Sequence, residues 1–152
     1  GPFVKHPHHE CEIGNVIDSA LLVEADGVKV LNTNDNSPTV EKARWLRETY
    51  GPFDVVQLNY SNAGPYPACF PGIDRKAEAA RCVERNLTHM ASVAKELDAK
   101  WTMPFAGAYK LGYGKEHLNE FLGTCSSSEA ACYLAARGFK PLLLVEGESI
   151  DL

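Results

Sequence analysis

The sequence predicts an α/β fold. Three observations carry that expectation: an Asp26-Gly27 pair between two short apolar runs, segments whose apolar residues recur at helical spacing, and short apolar strand-like runs alternating with those segments. Read in order they give β-β-α-β-α-β-α-β. Strands alternating with helices bury their apolar faces as helices layered on a sheet.

The first 13 residues, Gly1 to Ile13, are polar, carry His6, His8 and His9, and read as a leading loop. Ser19 to Val23 and Val28 to Leu31 are the first two strands, and Asp-Gly between them signals a hairpin because both turn positions accept positive φ. A polar loop, Asn32 to Pro38, follows. Ser37 is the expected N-cap of the first helix with Pro38 at its first position, Val40, Ala43, Leu46 and Tyr50 its buried stripe, and Gly51 its stop. Asp54 to Leu58 is the third strand, leading into a Gly-, Pro- and Tyr-rich loop from Asn59 to Gly72. Asp74 caps a long helix whose stripe is Ala77, Ala80, Val83, Leu87, Met90, Ala94 and Leu97. Trp101 to Phe105 is the fourth strand. Ser126-x-x-Glu129 is a capping box opening the last helix, which Gly138 closes, and Pro141 to Val145 is the last strand.

With 152 residues, 45% hydrophobic and 23% charged, the chain fits one globular unit rather than a disordered or low-complexity segment. No linker or internal repeat divides it. A formal charge of −5, with Arg75-Lys76 as the longest basic run, argues against nucleic acid as a partner. No apolar run is long enough to span a bilayer, so a membrane is not expected either. Gly1-Pro2 has the look of a cleavage scar, and no signal pattern follows it. Five cysteines (Cys11, Cys69, Cys82, Cys125, Cys132) without a C-x-x-C pair point to free thiols and a reducing, cytoplasmic setting.

Four places can carry chemistry. Asp35 follows the second strand, at the carboxyl end where α/β sheets build their sites, and its carboxylate can ligate a metal; the competing reading makes Asn34, Asp35 and Asn36 plain turn formers. His6-Pro7-His8-His9 offers imidazoles to zinc or iron, or is a solvated arm. The loop Asn59 to Pro67, with Tyr60, Asn62 and Tyr66, offers amide and phenol donors to a polar ligand, or is a proline-stiffened connection. Pro104 to Tyr109 ends another strand with small residues that permit close backbone approach, and Lys110 and His117 beyond it suit an anionic substrate. The templates G-x-G-x-x-G, Walker A, H-E-x-x-H and G-x-S-x-G are absent.

The stretch Asn15 to Val23 through Val30-Leu31-Asn32-Thr33-Asn34-Asp35, with Leu58-Asn59-Tyr60-Ser61 and Pro104-Phe105-Ala106-Gly107, resembles the C-terminal half of a metallo-β-lactamase-fold domain. Within that superfamily it is similar to the branch holding the lactamase-like domain of CMP-N-acetylneuraminate hydroxylase and related hydrolase-like proteins. The resemblance runs from about His8 to Leu152. It implies half of an αββα sandwich, a divalent metal (zinc or iron), and hydrolysis of a polar or anionic small molecule by metal-activated water. It implies Asp35 and either His8 or His9 as metal ligands, Asp18 orienting a ligand from behind, and Tyr60, Asn62, Tyr66, Lys110 and His117 lining the substrate pocket. Two departures stand out: the H-x-H-x-D-H motif is missing, and Phe105-Ala106-Gly107 stands where a final histidine is usual. They favour a single metal or a degenerate site. Half a sandwich implies a complementary N-terminal half or a second subunit. The alternatives are a non-catalytic lactamase-like binding or assembly subunit, and a self-contained α/β ligand-binding domain.

Overall fold

A computed structural model describes residues 19–35, 37–62 and 64–152. Four strands form one mixed sheet in the order β1-β2-β3-β4: Leu21–Ala25, Val28–Asn32, Val55–Asn59 and Trp101–Phe105. The helices are α1 (Val40–Tyr50), α2 (Arg75–Leu97) and α3 (Ser127–Ala135), with a 3-10 turn at Glu116–Phe121 before α3. The α/β class expected from the sequence is therefore present as a four-stranded mixed sheet carrying helices.

The β1-β2 hairpin is antiparallel and turns at Asp26 (φ 50°) and Gly27 (φ 81°), the two left-handed positions that an Asp-Gly pair supplies. The next two pairings are parallel, β2 with β3 and β3 with β4. Each parallel step needs a crossover, and α1 and α2 provide them. Crossovers of one hand that advance in one direction along the sheet place their helices on one face.

The core confirms that placement. Leu31 of β2 and Val56 and Leu58 of β3 pack with Ala43 and Leu46 of α1, with Met90, Val93 and Leu97 of α2, and with Ala130 and Leu134 of α3. Register partners share a face, so Leu22, Leu31, Val56 and Thr102 look toward the helices. The opposite face carries Leu21, Val23, Val30, Trp101, Met103 and Phe105, none of which joins the core cluster. Leu21 is 59% and Val23 47% exposed.

Several boundaries differ from those expected. Thr39, not Ser37, caps α1, its hydroxyl accepting from the Lys42 N–H at 3.2 Å. In α2 the first two turns bury Ala79 and Cys82, whereas Ala77 and Ala80 face out. Alanines on both sides of the helix gave the apolar period no phase there, and the larger residues from Leu87 onward set it. The expected last strand shrinks to one bridge, Thr102 with Pro141, and Leu143 and Val145 are exposed. The capping box at Ser126 and Glu129 and the Asp74 cap, whose carboxylate accepts from the Ala77 N–H, are present as expected.

Candidate functional site

Parallel strands that all run the same way bring the loops after β2, β3 and β4 to one edge, where open α/β sheets bind ligands. Two of these loops begin with the same device. Asn32 at the end of β2 accepts from the Asn34 N–H at 2.7 Å, and Asn59 at the end of β3 accepts from the Ser61 N–H at 2.8 Å. Such side-chain turns bend the chain out of the sheet plane. Thr33 fastens the first bend: its N–H and its hydroxyl both donate to the Gln57 carbonyl, each at 3.1 Å.

These bends bear directly on Asp35. The turn is made by Asn32 and by Asn34 at φ 55°, while Asp35 lends it only a backbone carbonyl, which accepts from the Ser37 N–H. Its carboxylate is exposed and has no hydrogen-bond partner among the described residues. Turn formation thus accounts for the asparagines on either end of the bend and, among the described residues, gives that carboxylate no side-chain partner.

Beside this bend lies a cleft of about 320 Å³ lined by Ser37, Asn59, Asn62, Arg85, Asn86 and His89. The wall is amide, hydroxyl, imidazole and guanidinium, so it offers many donors and one positive charge. A smaller hollow of about 130 Å³ shares Asn62, Arg85 and Asn86 and continues to Tyr66 and Cys82. Arg85 reaches back toward the Cys82 sulfur at 3.9 Å.

The expected pocket residues divide. Asn62 is exposed and lines both hollows, and Tyr66 lines the smaller one. The Tyr66 hydroxyl donates to Glu78, which Arg81 also holds at 2.6 Å; that hydrogen bond to Glu78 raises the phenol above its ordinary range. Tyr60 lines neither hollow. It is 3% exposed and belongs to the core, its ring lying on Gly107 so closely that a Cβ there would overlap it. Burial pushes the Tyr60 phenol up. The small residues after β4 make room for this ring, and the Ser61 hydroxyl donating to the Gly107 carbonyl ties the same two loops. Lys110 and His117 are exposed, lie on the loop and 3-10 turn after β4, and line neither hollow. His8, His9 and Asp18 lie outside the described residues.

A zinc or iron centre does not close on the described residues. Among them no three His, Cys, Asp or Glu side chains come together as a ligand group, whereas a structural site needs four donors and a catalytic one three. Cys69, Cys82, Cys125 and Cys132 are free thiols. The Cys125 thiol is pushed up by burial and by Glu129, which disfavours the thiolate that metals bind.

Ser37, Asn59, Arg85, Asn86 and His89 were not singled out from the sequence. One signal for them exists. Along α2 the stripe Ala79, Cys82, Met90 and Leu97 leaves its next place, one turn after Cys82, to Asn86. A polar residue where the period asks for an apolar one marks the point where α2 meets the cleft. Comparison of the chain with protein-family models, with curated proteins and with solved structures gave no match.

Proposed function

We propose that this chain is the C-terminal half of a metallo-β-lactamase-like αββα sandwich. In this reading it contributes one wall of a metal-dependent hydrolase site acting on a polar, anionic small molecule. The observation that supports it best is the carboxylate of Asp35, exposed at the carboxyl edge of the parallel strands and relieved of turn-forming duty by Asn32. The exposed Leu21 and Val23, on the face of the sheet opposite the helices, agree with a second layer packing against the hairpin.

In this reading Asp35 is one ligand, and the others come from outside the described residues, with His8 and His9 as the candidates within the chain and Asp18 behind them. A metal bound there would lower the pKa of a water toward neutrality. The part played by the described residues is binding: Arg85 meets the substrate's negative charge, Asn62, Asn59 and Asn86 orient its polar groups, and His89 stands on the same wall. The setting is a reducing, cytoplasmic one, in keeping with four thiols left free.

One observation favours a second reading, a non-catalytic assembly subunit: no three ligating side chains converge among the described residues. The two separate in a turnover assay on the full-length protein with aryl ester, lactone and phosphodiester substrates, before and after treatment with a chelator. Chelator-sensitive hydrolysis, with Arg85→Ala raising KM for an anionic substrate about tenfold through loss of a charge-assisted contact, supports the hydrolase. Absence of turnover with any of the three, before or after metal is restored, supports the subunit.

A further inference from the structure

A groove of about 810 Å³ runs along α2 and shares no lining residue with the carboxyl-edge cleft. One wall is a single face of that helix, Glu84, Thr88, Ala91 and Lys95, spaced by four, three and four, followed by Asp98 at its C-cap. The other wall is Tyr133 on α3 with Arg137, Phe139 and Lys140 beyond it, and the groove ends at Lys100 before β4.

Its charge runs against that of the whole protein. The chain carries −5, yet the groove holds Lys95, Lys100, Arg137 and Lys140 against only Glu84 and Asp98. Both carboxylates are already engaged. Asp98 pairs with Arg47 at 2.7 Å, and Glu84 accepts from the Tyr133 and Thr88 hydroxyls at 3.1 and 3.2 Å. Lys100 is held by Asp54 at 2.6 Å. That leaves Lys95, Arg137 and Lys140 without an ion-pair partner among the described residues. Arg137 is nonetheless positioned: its guanidinium lies 3.3 Å from the centre of the Tyr133 ring and donates to the Tyr133 carbonyl at 3.2 Å. Between the cations the groove is lined by apolar Ala91 and Phe139.

We infer that this groove is a second ligand site, for a small organic anion with an apolar body. Its acidic group meets Lys95, Arg137 and Lys140, and its body lies on Ala91 and Phe139. The volume is that of a small-molecule site, far more than a bare inorganic ion needs. A preset guanidinium and two flexible ammonium groups suit a phosphate, sulfonate or carboxylate, and a nearby aromatic ring suits a flat body.

The test is a titration of the full-length, nitrogen-15-labelled protein with 1-naphthyl phosphate, followed by amide chemical shifts. The expected result is saturable movement of Thr88, Ser92, Arg137 and Lys140 signals. Reversing two charges in Lys95→Glu/Lys140→Glu should weaken binding about tenfold or more, and Lys95→Arg/Lys140→Arg should restore it, because the contact is one of charge. Arg137→Gln, at an equally exposed position, is an independent variant expected to weaken binding as well. Arg85→Ala should leave it unchanged. Movement at Asn59, Asn62 and Arg85 instead, no saturation up to about 1 mM, the affinity of a minimal ligand contact, or full affinity after charge reversal would each overturn the assignment.

Discussion

Gly107 shows how much one missing Cβ can organise. The buried Tyr60 ring occupies the space a side chain at Gly107 would need, and Ser61 donates to the Gly107 carbonyl from the next position. Gly107→Ala is therefore an overpacking change, expected to cost about 1–3 kcal/mol in denaturant unfolding. Pairing it with Tyr60→Leu should cost less than the two singles summed, because both act on one contact. Strict additivity would show that the ring does not need that space. The same pair marks a limit of sequence reading. A tyrosine in a polar loop looks like a pocket wall, and only the meeting of two loops far apart in sequence turns it into core. Asp35 is the opposite case: its place after β2 was legible, but the division of labour with Asn32 needed the hydrogen bonds.

Among the elements, the three parallel strands are stapled at their amino ends by one carboxylate. Asp54, just before β3, accepts from the Lys29 N–H of β2 at 2.8 Å and pairs with Lys100, before β4, at 2.6 Å. The Lys100 ammonium first, and the Lys29 N–H second, hold this buried carboxyl below its ordinary value. The folded pKa lies below the unfolded value near about 3.9. Its stabilisation is thus fully present above that value and disappears as pH falls through the lower folded one. Asp54→Asn should lower the neutral-pH unfolding midpoint and flatten its acid dependence below about pH 5. An unchanged acid slope would show that other carboxylates control it. Elements with strong local chemistry were legible: the Asp-Gly hairpin, the Ser126 capping box and the Asp74 cap. The start of α1 was not, because Ser37 and Thr39 are both good caps and only the backbone path chooses. The final strand was not either: its apolar run predicts pairing, but after Pro141 only the Leu142 N–H continues it, donating to Thr102 at 2.9 Å.

At the scale of the molecule, the main core cluster lies on one side of the sheet; on the other, Val55 of the central strand β3 is the one strand residue that is buried among the described residues. The helix-facing side supplies that cluster, while Leu21 and Val23 on the hairpin are exposed on the other face. If a second layer packs there, Val23→Lys, which leaves the hairpin turn untouched, should weaken that association by about 2–4 kcal/mol, the cost of an unpaired charge in an apolar contact. Sedimentation of the full-length protein measures it, and an association indifferent to the substitution would place the contact elsewhere. The polar cleft and Asp35 sit on the carboxyl edge of this same sheet, so the two features belong to one hypothesis about a two-layered site.

That hypothesis stands most directly on the metal content of the full-length protein, purified with zinc or iron supplied and compared with its Asp35→Ala variant. The expected result is stoichiometric metal in the parent protein and at least a tenfold loss of metal affinity in the variant, the scale on which a ligand matters. A variant that keeps its metal undiminished, or a parent protein that takes up none at saturating supply, would contradict the role assigned to Asp35.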